Sequence, residues 1–450
     1  MNEPNQDDWE SDMAKPRWSH IFLRFQLLML TSMYIGYAAL MLCRNTIIAC
    51  SVQLVEDPTL DIDKESFGHL MAWHSAGAIL GKLVTGPGTG LLGGRRMFLL
   101  ALSLTAIANI GFAFSSTFFL FAAFNFFGQA AKAGGWPAMA QLVRSWFPKT
   151  RYGQVWSVIA TSSRVGTIAA GLLFGFLLTM LEWRDVFLVS AALTGGVIIA
   201  LYATLKQTPK DAGLPSLQDL EKESVPEESG VPVPAHALEN TTLLQACWSF
   251  ATSGRFWLIG MSIVFLTVCM DFLNFIPLYL SEELKLSSDN AAQAGTAFPW
   301  GMFGALLLTS FYYDRLSKFQ LICVIGCQLV FSCLAILVLW RLDVVPEDAR
   351  AATAIVTIFL LGLAISPAYY VPMSVFSVAF GGKHAGFLVA IIDIFGYAAA
   401  ILFNFFGGTI AQNHGWGIFL SGLLAVALLA TISMVSFLLL DWRSSKQIAS

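Results

Sequence analysis

The chain has 450 residues, of which 56% are hydrophobic and only 12% charged, with a net charge of −3 and a mean hydropathy of +0.67. Soluble globular chains carry about 25% charged residues, so the composition excludes a soluble domain and indicates a polytopic membrane protein. The small net charge says nothing about partners, because in a membrane protein the distribution of charge matters more than its sum.

Met1 to Trp18 is polar and acidic, and the first apolar run is too long for the core of a cleavable signal peptide. Twelve runs are long enough to span a bilayer at roughly 20 residues each. They lie near 21–52, 66–92, 97–115, 119–145, 154–181, 185–205, 256–282, 289–313, 319–341, 351–379, 385–410 and 416–440. One long polar break, Lys206 to Ser253, contains Pro209, Pro215, Pro226, Pro232 and Pro234 and reads as a flexible linker. The expected fold is therefore all-α, with twelve transmembrane helices in two pseudo-symmetric six-helix bundles. The predicted divisions are a tail at 1–20, a bundle at 21–205, the linker at 206–253, a second bundle at 254–441 and a tail at 442–450.

Lysine and arginine gather in the loops on one side (Arg95, Arg96, Arg144, Lys149, Arg151, Lys206, Lys210, Arg315 and Lys318 among them), whereas the other side is diluted by Asp57, Asp61, Asp63, Glu282 and Glu283. The positive-inside rule then puts both termini and the linker in the cytoplasm. The seven cysteines mostly sit inside apolar runs without metal-ligand spacing, so they read as small hydrophobes. Nothing resembles a nucleotide-binding loop, a metal cluster or a catalytic triad. The expectation is a monomer in a lipid bilayer, with no cofactor, no metal, no nucleic-acid partner and no catalytic residue.

Charges inside the apolar runs carry the functional reading. Arg44 follows roughly twenty mostly apolar residues, and Thr46-Ile-Ile-Ala-Cys50 continues beyond it. A guanidinium enters the bilayer charged, and near the centre of a membrane helix it costs at least about 2.5–3.5 kcal/mol on insertion scales. Such a cost is accepted where the charge serves a protein-lined cavity. Lys82, Lys132 and Arg164 are likewise embedded, all in the first half. Four cations in low dielectric repel one another, so they need anions, and the second half offers mainly Asp271 and Asp393. The substrate is the natural remaining partner, with arginine suited to a bidentate grip and lysine to a point charge. Tyr37, Trp136 and Tyr397 are the aromatics expected to line the cavity, while His74 reads as a packed or hydrogen-bonded residue. Asp271 and Asp393 are candidates for proton coupling.

Gly81-Lys-Leu-Val-Thr-Gly86 leads into a turn ending Gly-Gly-Arg95-Arg96, and Gly304-Ala-Leu-Leu-Leu-Thr309 leads into Tyr313-Asp314-Arg315-Leu-Ser-Lys318. This duplicated basic turn resembles that of the major facilitator superfamily and implies a gating role for Asp314 and Arg315; in the first copy Gly90 replaces the usual aspartate. Gly36-Tyr37-Ala-Ala with Arg44, Gly81-Lys82, Gly135-Trp136-Pro137, Thr208-Pro209 with Gly213-Leu214-Pro215, and Phe395-Gly396-Tyr397 together resemble the organophosphate:phosphate antiporters. That family clamps phosphate with arginines in helices one and seven. Here Cys269 occupies the helix-seven position, Ser163 with Arg164 stands where a helix-five histidine is expected, Lys132 replaces a neutral residue in helix four, and Asp271 adds an acid to helix seven. The resemblance implies a secondary active transporter of a small multivalent organic anion, an organophosphate or sugar phosphate, in a bacterial inner membrane. The alternatives are a proton-coupled importer of a polycarboxylate or carboxylate siderophore, and a membrane sensor of sugar phosphate.

Overall fold

The computed structural model describes residues 6–215, Leu238, 241–312 and 315–449, and among these the chain is helical with no strand. In the first half α1 (Gln6–Ala49), the short α2 (Ser51–Glu56), α3 (Lys64–Leu92), α4 (Gly94–Ala113), α5 (Phe118–Lys132), α6 (Gly135–Trp146), α7 (Tyr152–Leu177) and α8 (Trp183–Thr204) follow in order. The second half has α9 (Leu243–Ala251), α10 (Gly254–Asp271), α11 (Ile276–Leu284), α12 (Ser288–Gly295), α13 (Ala297–Tyr312), α14 (Lys318–Trp340), α15 (Glu347–Gly381) and α16 (Ala385–Ala449). Among the described residues, eight helical stretches are long and apolar enough to cross a membrane.

Several of the predicted runs are interrupted by local chemistry. The run at 119–145 divides at Ala133–Gly134 into α5 and α6. The run at 256–282 ends its first helix at Asp271, passes through a 3₁₀ turn at Phe272–Asn274, and restarts with Pro277 in the first turn of α11. Proline is tolerated there because its missing N–H has no partner in a first turn. The last two runs form one long helix broken at Gly415, whose φ of 77° lies in the left-handed region open to glycine. The stretch read as a linker carries structure at both ends: a 3₁₀ turn at Pro209–Ala212, and α9, which the Thr242–Gln245 capping box starts. Its central part, like Tyr313 and Asp314, lies outside the described residues.

Packing is local within each half: α1 lies against α7 and α8, α4 against α5 and α8, and α16 against α10 and α14. Between halves, α3 runs along α16, and α7 meets α12 and α13. One end of the molecule is closed. There Lys64 donates to the Glu282 carboxylate at 2.8 Å, and the Trp416 indole N–H donates to the same oxygen at 2.7 Å. A side chain on Gly408 would meet the Lys64 carbonyl oxygen at 2.6 Å and the Gly68 Cα at 2.9 Å, so only a residue without Cβ permits this crossing of α3 and α16. One apolar core at this end merges residues of both halves, including Ile47, Phe67, Phe112, Phe272, Phe275 and Trp416. A second core, from Met29 to Leu214 with Phe98 and Trp146 at its centre, belongs to the first half alone.

Candidate functional site: a cationic cavity in the first half

The α3–α4 turn shows how the sequence sets the frame around the cavity. Gly93, at φ 81°, ends α3, and α4 begins on the next residue. Arg95 then donates to the Leu205 and Tyr202 carbonyl oxygens at 2.6 and 2.8 Å, pinning the basic turn to the end of α8. The second copy of this turn keeps Arg315 exposed, and Asp314 lies outside the described residues.

Arg44 projects from α1 five residues before its end, and its Nε donates to His74 Nε2 on α3 at 3.2 Å. His74 Nδ1 lies 2.8 Å from Asn125 Oδ1 on α5, and Asn125 Nδ2 donates to the Leu70 carbonyl at 2.8 Å. Arg44, His74, Asn109, Asn125, Gln129 and Lys132 line one small cavity. Lys132 reaches it from the last turn of α5, immediately before the helix breaks.

Lys82 is committed elsewhere. It forms an ion pair with Asp393 on α16 and stands 4.9 Å from the Tyr397 ring centre, so it joins the two halves. Arg164 on α7 is 8% exposed and stacks its guanidinium 4.4 Å over Tyr370 of α15. Its Nε is buried with no hydrogen-bond partner among the described residues. A buried polar group left unpaired is uncommon and calls for a reason. Tyr37, 7% exposed, packs edge-on against Trp136 at 5.6 Å, and Trp136 packs on Trp156 at 4.8 Å. Tyr37 and Arg44 lie two turns apart on α1, and Arg164 stands on α7, which packs against α1.

Asp271 lies at the break between α10 and α11 and accepts a hydrogen bond from Asn404 Nδ2 at 2.8 Å. Asn404 Oδ1 in turn accepts from Asn274 at 3.0 Å. Asp271 senses the Arg44 charge without pairing with it. No described carboxylate comes within 4 Å of Arg44, Lys132 or Arg164. Cys269, at the position of the absent second arginine, is fully buried.

The structure thus brings Arg44 and Lys132 to one cavity, and sets Lys82 against Asp393 and Tyr397, Arg164 against Tyr370, Tyr37 against Trp136, and Asp271 against Asn404 in separate contacts. It adds His74, Asn125, Asn274, Asn404 and Tyr370, which the sequence reading leaves outside the site. One signal could have found two of them: the string Phe-Asn-Phe-Phe-Gly occurs at 124–128 and again at 403–407. An amide in so apolar a run must find a partner inside the protein.

A family model described as Major Facilitator Superfamily matches residues 27–344. The chain is similar to a probable hexose phosphate transport protein of Chlamydia muridarum, with 26% identity over 425 residues, 92% of this chain and 91% of that one. A phosphoglycerate transporter protein of Salmonella typhimurium is 26% identical over 69% of this chain and 68% of its own length. The membrane sensor protein UhpC of the same organism is 25% identical, covering 64% of each. These relatives bear out the resemblance to the organophosphate:phosphate antiporters, and none is named as an enzyme. Among solved structures, the nucleoside transporter NupG matches with a TM-score of 0.68 and 13% identity over 92% of this chain and 99% of that one. The D-xylose-proton symporter matches at 0.65 and 15% over 92% and 97%. Fold, helix order and family model agree, and the chain belongs to the Major Facilitator Superfamily, as an integral, multi-pass membrane protein.

Proposed function

We propose that the chain is a secondary active transporter that carries an organophosphate or sugar phosphate by alternating access. The observation that carries this is the pair Arg44 and Arg164, embedded in the first half with no described carboxylate within 4 Å. An anionic substrate with several oxygens supplies what they lack, since a phosphate accepts the paired donors of a guanidinium. Arg44 is the principal anchor, Lys132 adds a point charge, and Arg164 takes the role that a helix-seven arginine plays in the antiporters. Lys82 exchanges Asp393 for substrate, while Tyr37, Trp136 and Tyr397 shape the cavity and Arg315 with Asp314 belongs to the gate. The hexose phosphate and phosphoglycerate relatives support the substrate class.

The working organisation is two bundles, 21–205 and 254–441, joined by 206–253, with tails 1–20 and 442–450 in the cytoplasm of a bacterial inner membrane. On that orientation the closed end holding Lys64, Glu282 and Gly408 is external, so the cavity opens inward. Cysteine placed at Asp57 or Glu283 is expected to react with an impermeant reagent from outside, and labelling only from the cytoplasmic side would reverse the topology.

The deciding experiment is uptake of glucose 6-phosphate into vesicles loaded with inorganic phosphate, with and without a pH gradient. Phosphate-driven uptake of the ester is expected with or without the gradient, and added accumulation under the gradient would report proton coupling. Uptake of a tricarboxylate in place of any phosphate would replace this reading with the polycarboxylate one, which Asp271 and Asp393 favour because they supply intramembrane acids.

A further inference from the structure

We infer that His74 is a positioning residue, held as the neutral Nδ1–H tautomer, and that it aims the Arg44 guanidinium at the substrate. The inference rests on Arg44 being the anion anchor. An arginine Nε carries a proton and can only donate, so the 3.2 Å bond requires a lone pair on His74 Nε2. The Leu70 carbonyl can only accept, so Asn125 turns its Nδ2 toward Leu70 and its Oδ1 toward His74. His74 Nδ1 must then be the donor. Each bond in the chain has one allowed direction, and together they leave one ring state.

The chain begins and ends on rigid elements. Leu70 lies one turn before His74 on α3, so the relay closes onto the backbone of the helix that carries the imidazole. His74 is 4% exposed, and a ring so enclosed cannot swing away from Arg44. With Nε fixed, the two terminal nitrogens of Arg44 have no hydrogen-bond partner among the described residues, and Arg44 borders the cavity. That pair makes the parallel bonds a phosphate or carboxylate accepts. A protonated imidazole would turn a second N–H on the guanidinium. The guanidinium lies against that nitrogen, and a like charge there would repel it. A packing histidine would need neither the unprotonated Nε2 nor the matching orientation of Asn125.

Two conservative substitutions separate aim from packing. In His74→Gln the side-chain oxygen reaches the place of Nε2 and keeps the acceptor for Arg44. In His74→Asn the shorter chain reaches only the place of Nδ1 and loses it. Losing one hydrogen bond to a charged group is expected to raise the KM for glucose 6-phosphate about tenfold in His74→Asn. His74→Gln should stay within a few-fold of wild type, and kcat should change less than KM in both. Equal KM values in the two variants would overturn the inference. Independently of substrate, nitrogen-15 histidine spectra of the purified full chain in nanodiscs, assigned by loss of a signal in His74→Gln, report the ring state. A protonated Nδ1 with a bare Nε2 is expected, and an Nε2–H tautomer or an imidazolium would refute it. Wild-type vesicles that move no phosphate ester would discard the substrate reading, and the spectrum would then decide the ring state alone.

Discussion

Arg44 and Arg164 are legible in the sequence because a guanidinium in an apolar run has few reasons to be there. Their surroundings are not legible, because each partner is distant in sequence: His74 is 30 residues from Arg44, and Lys82 meets Asp393 across 311. Neutral polar groups such as Asn125 and Asn404 carry no insertion penalty large enough to stand out, although hydrogen-bonding geometry makes them decisive. The residue at which these considerations meet is Arg44. Truncating one partner of a desolvated charged pair costs about 2–5 kcal/mol. Arg44→Lys keeps the charge but cannot donate from Nε to His74 while forking onto an anion. Its affinity for substrate is expected to fall by about tenfold or more, one decade for each 1.4 kcal/mol. Near-normal affinity in Arg44→Lys, measured by substrate protection or direct binding, would end the anchoring role.

Helix existence follows from hydropathy, and the two-half plan follows from one polar break. Helix interruptions are less visible, since Asp271 and Gly134 sit in runs whose apolar character does not change. Hydropathy sees the solvent a segment prefers, whereas a break depends on which backbone groups find partners. The crossing of α3 and α16 illustrates the same point: Gly68 and Gly408 are two among 37 glycines, and only the structure shows their backbones touching. A side chain at Gly408 meets backbone on α3, which cannot turn aside as a flexible side chain would. Gly408→Val should therefore hold the two halves apart at the closed end while each half stays folded. The expected result is a transport rate reduced at least about tenfold, the order of loss when overpacking costs about 1–3 kcal/mol, with substrate binding retained. Wild-type exchange by this variant, at equal amounts of protein, would show that the crossing is not required to close.

At the scale of the whole molecule, contacts between halves are unevenly placed, and Asp271 sits where that asymmetry meets the cavity. Its hydrogen-bond donor, Asn404, lies on α16 one turn before Gly408, and the Asn404 backbone packs on Gly68 of α3. Under a coupling role, separating Gly68 from Asn404 as the closed end opens alters the hydrogen bonding around Asp271. Arg44 also acts on Asp271 through its field, and a substrate anion bound to Arg44 cancels part of that influence. A carboxyl group whose donors and nearby charge change with state takes up or releases a proton as the state changes. That is the coupling role proposed for Asp271. The competing role is static: Asp271 only offsets the charge of Arg44 and secures Asn404. Asp271→Asn separates the two, because it keeps the shape, mimics the protonated carboxyl and cannot titrate. Under coupling, the variant is expected to retain counterflow of labelled substrate between preloaded vesicles and medium while losing accumulation driven by a pH gradient. Under the static role both modes weaken together, since an unbalanced cation alters binding in every state. Gradient-driven accumulation at the wild-type level in Asp271→Asn would remove this carboxylate from the transport mechanism altogether.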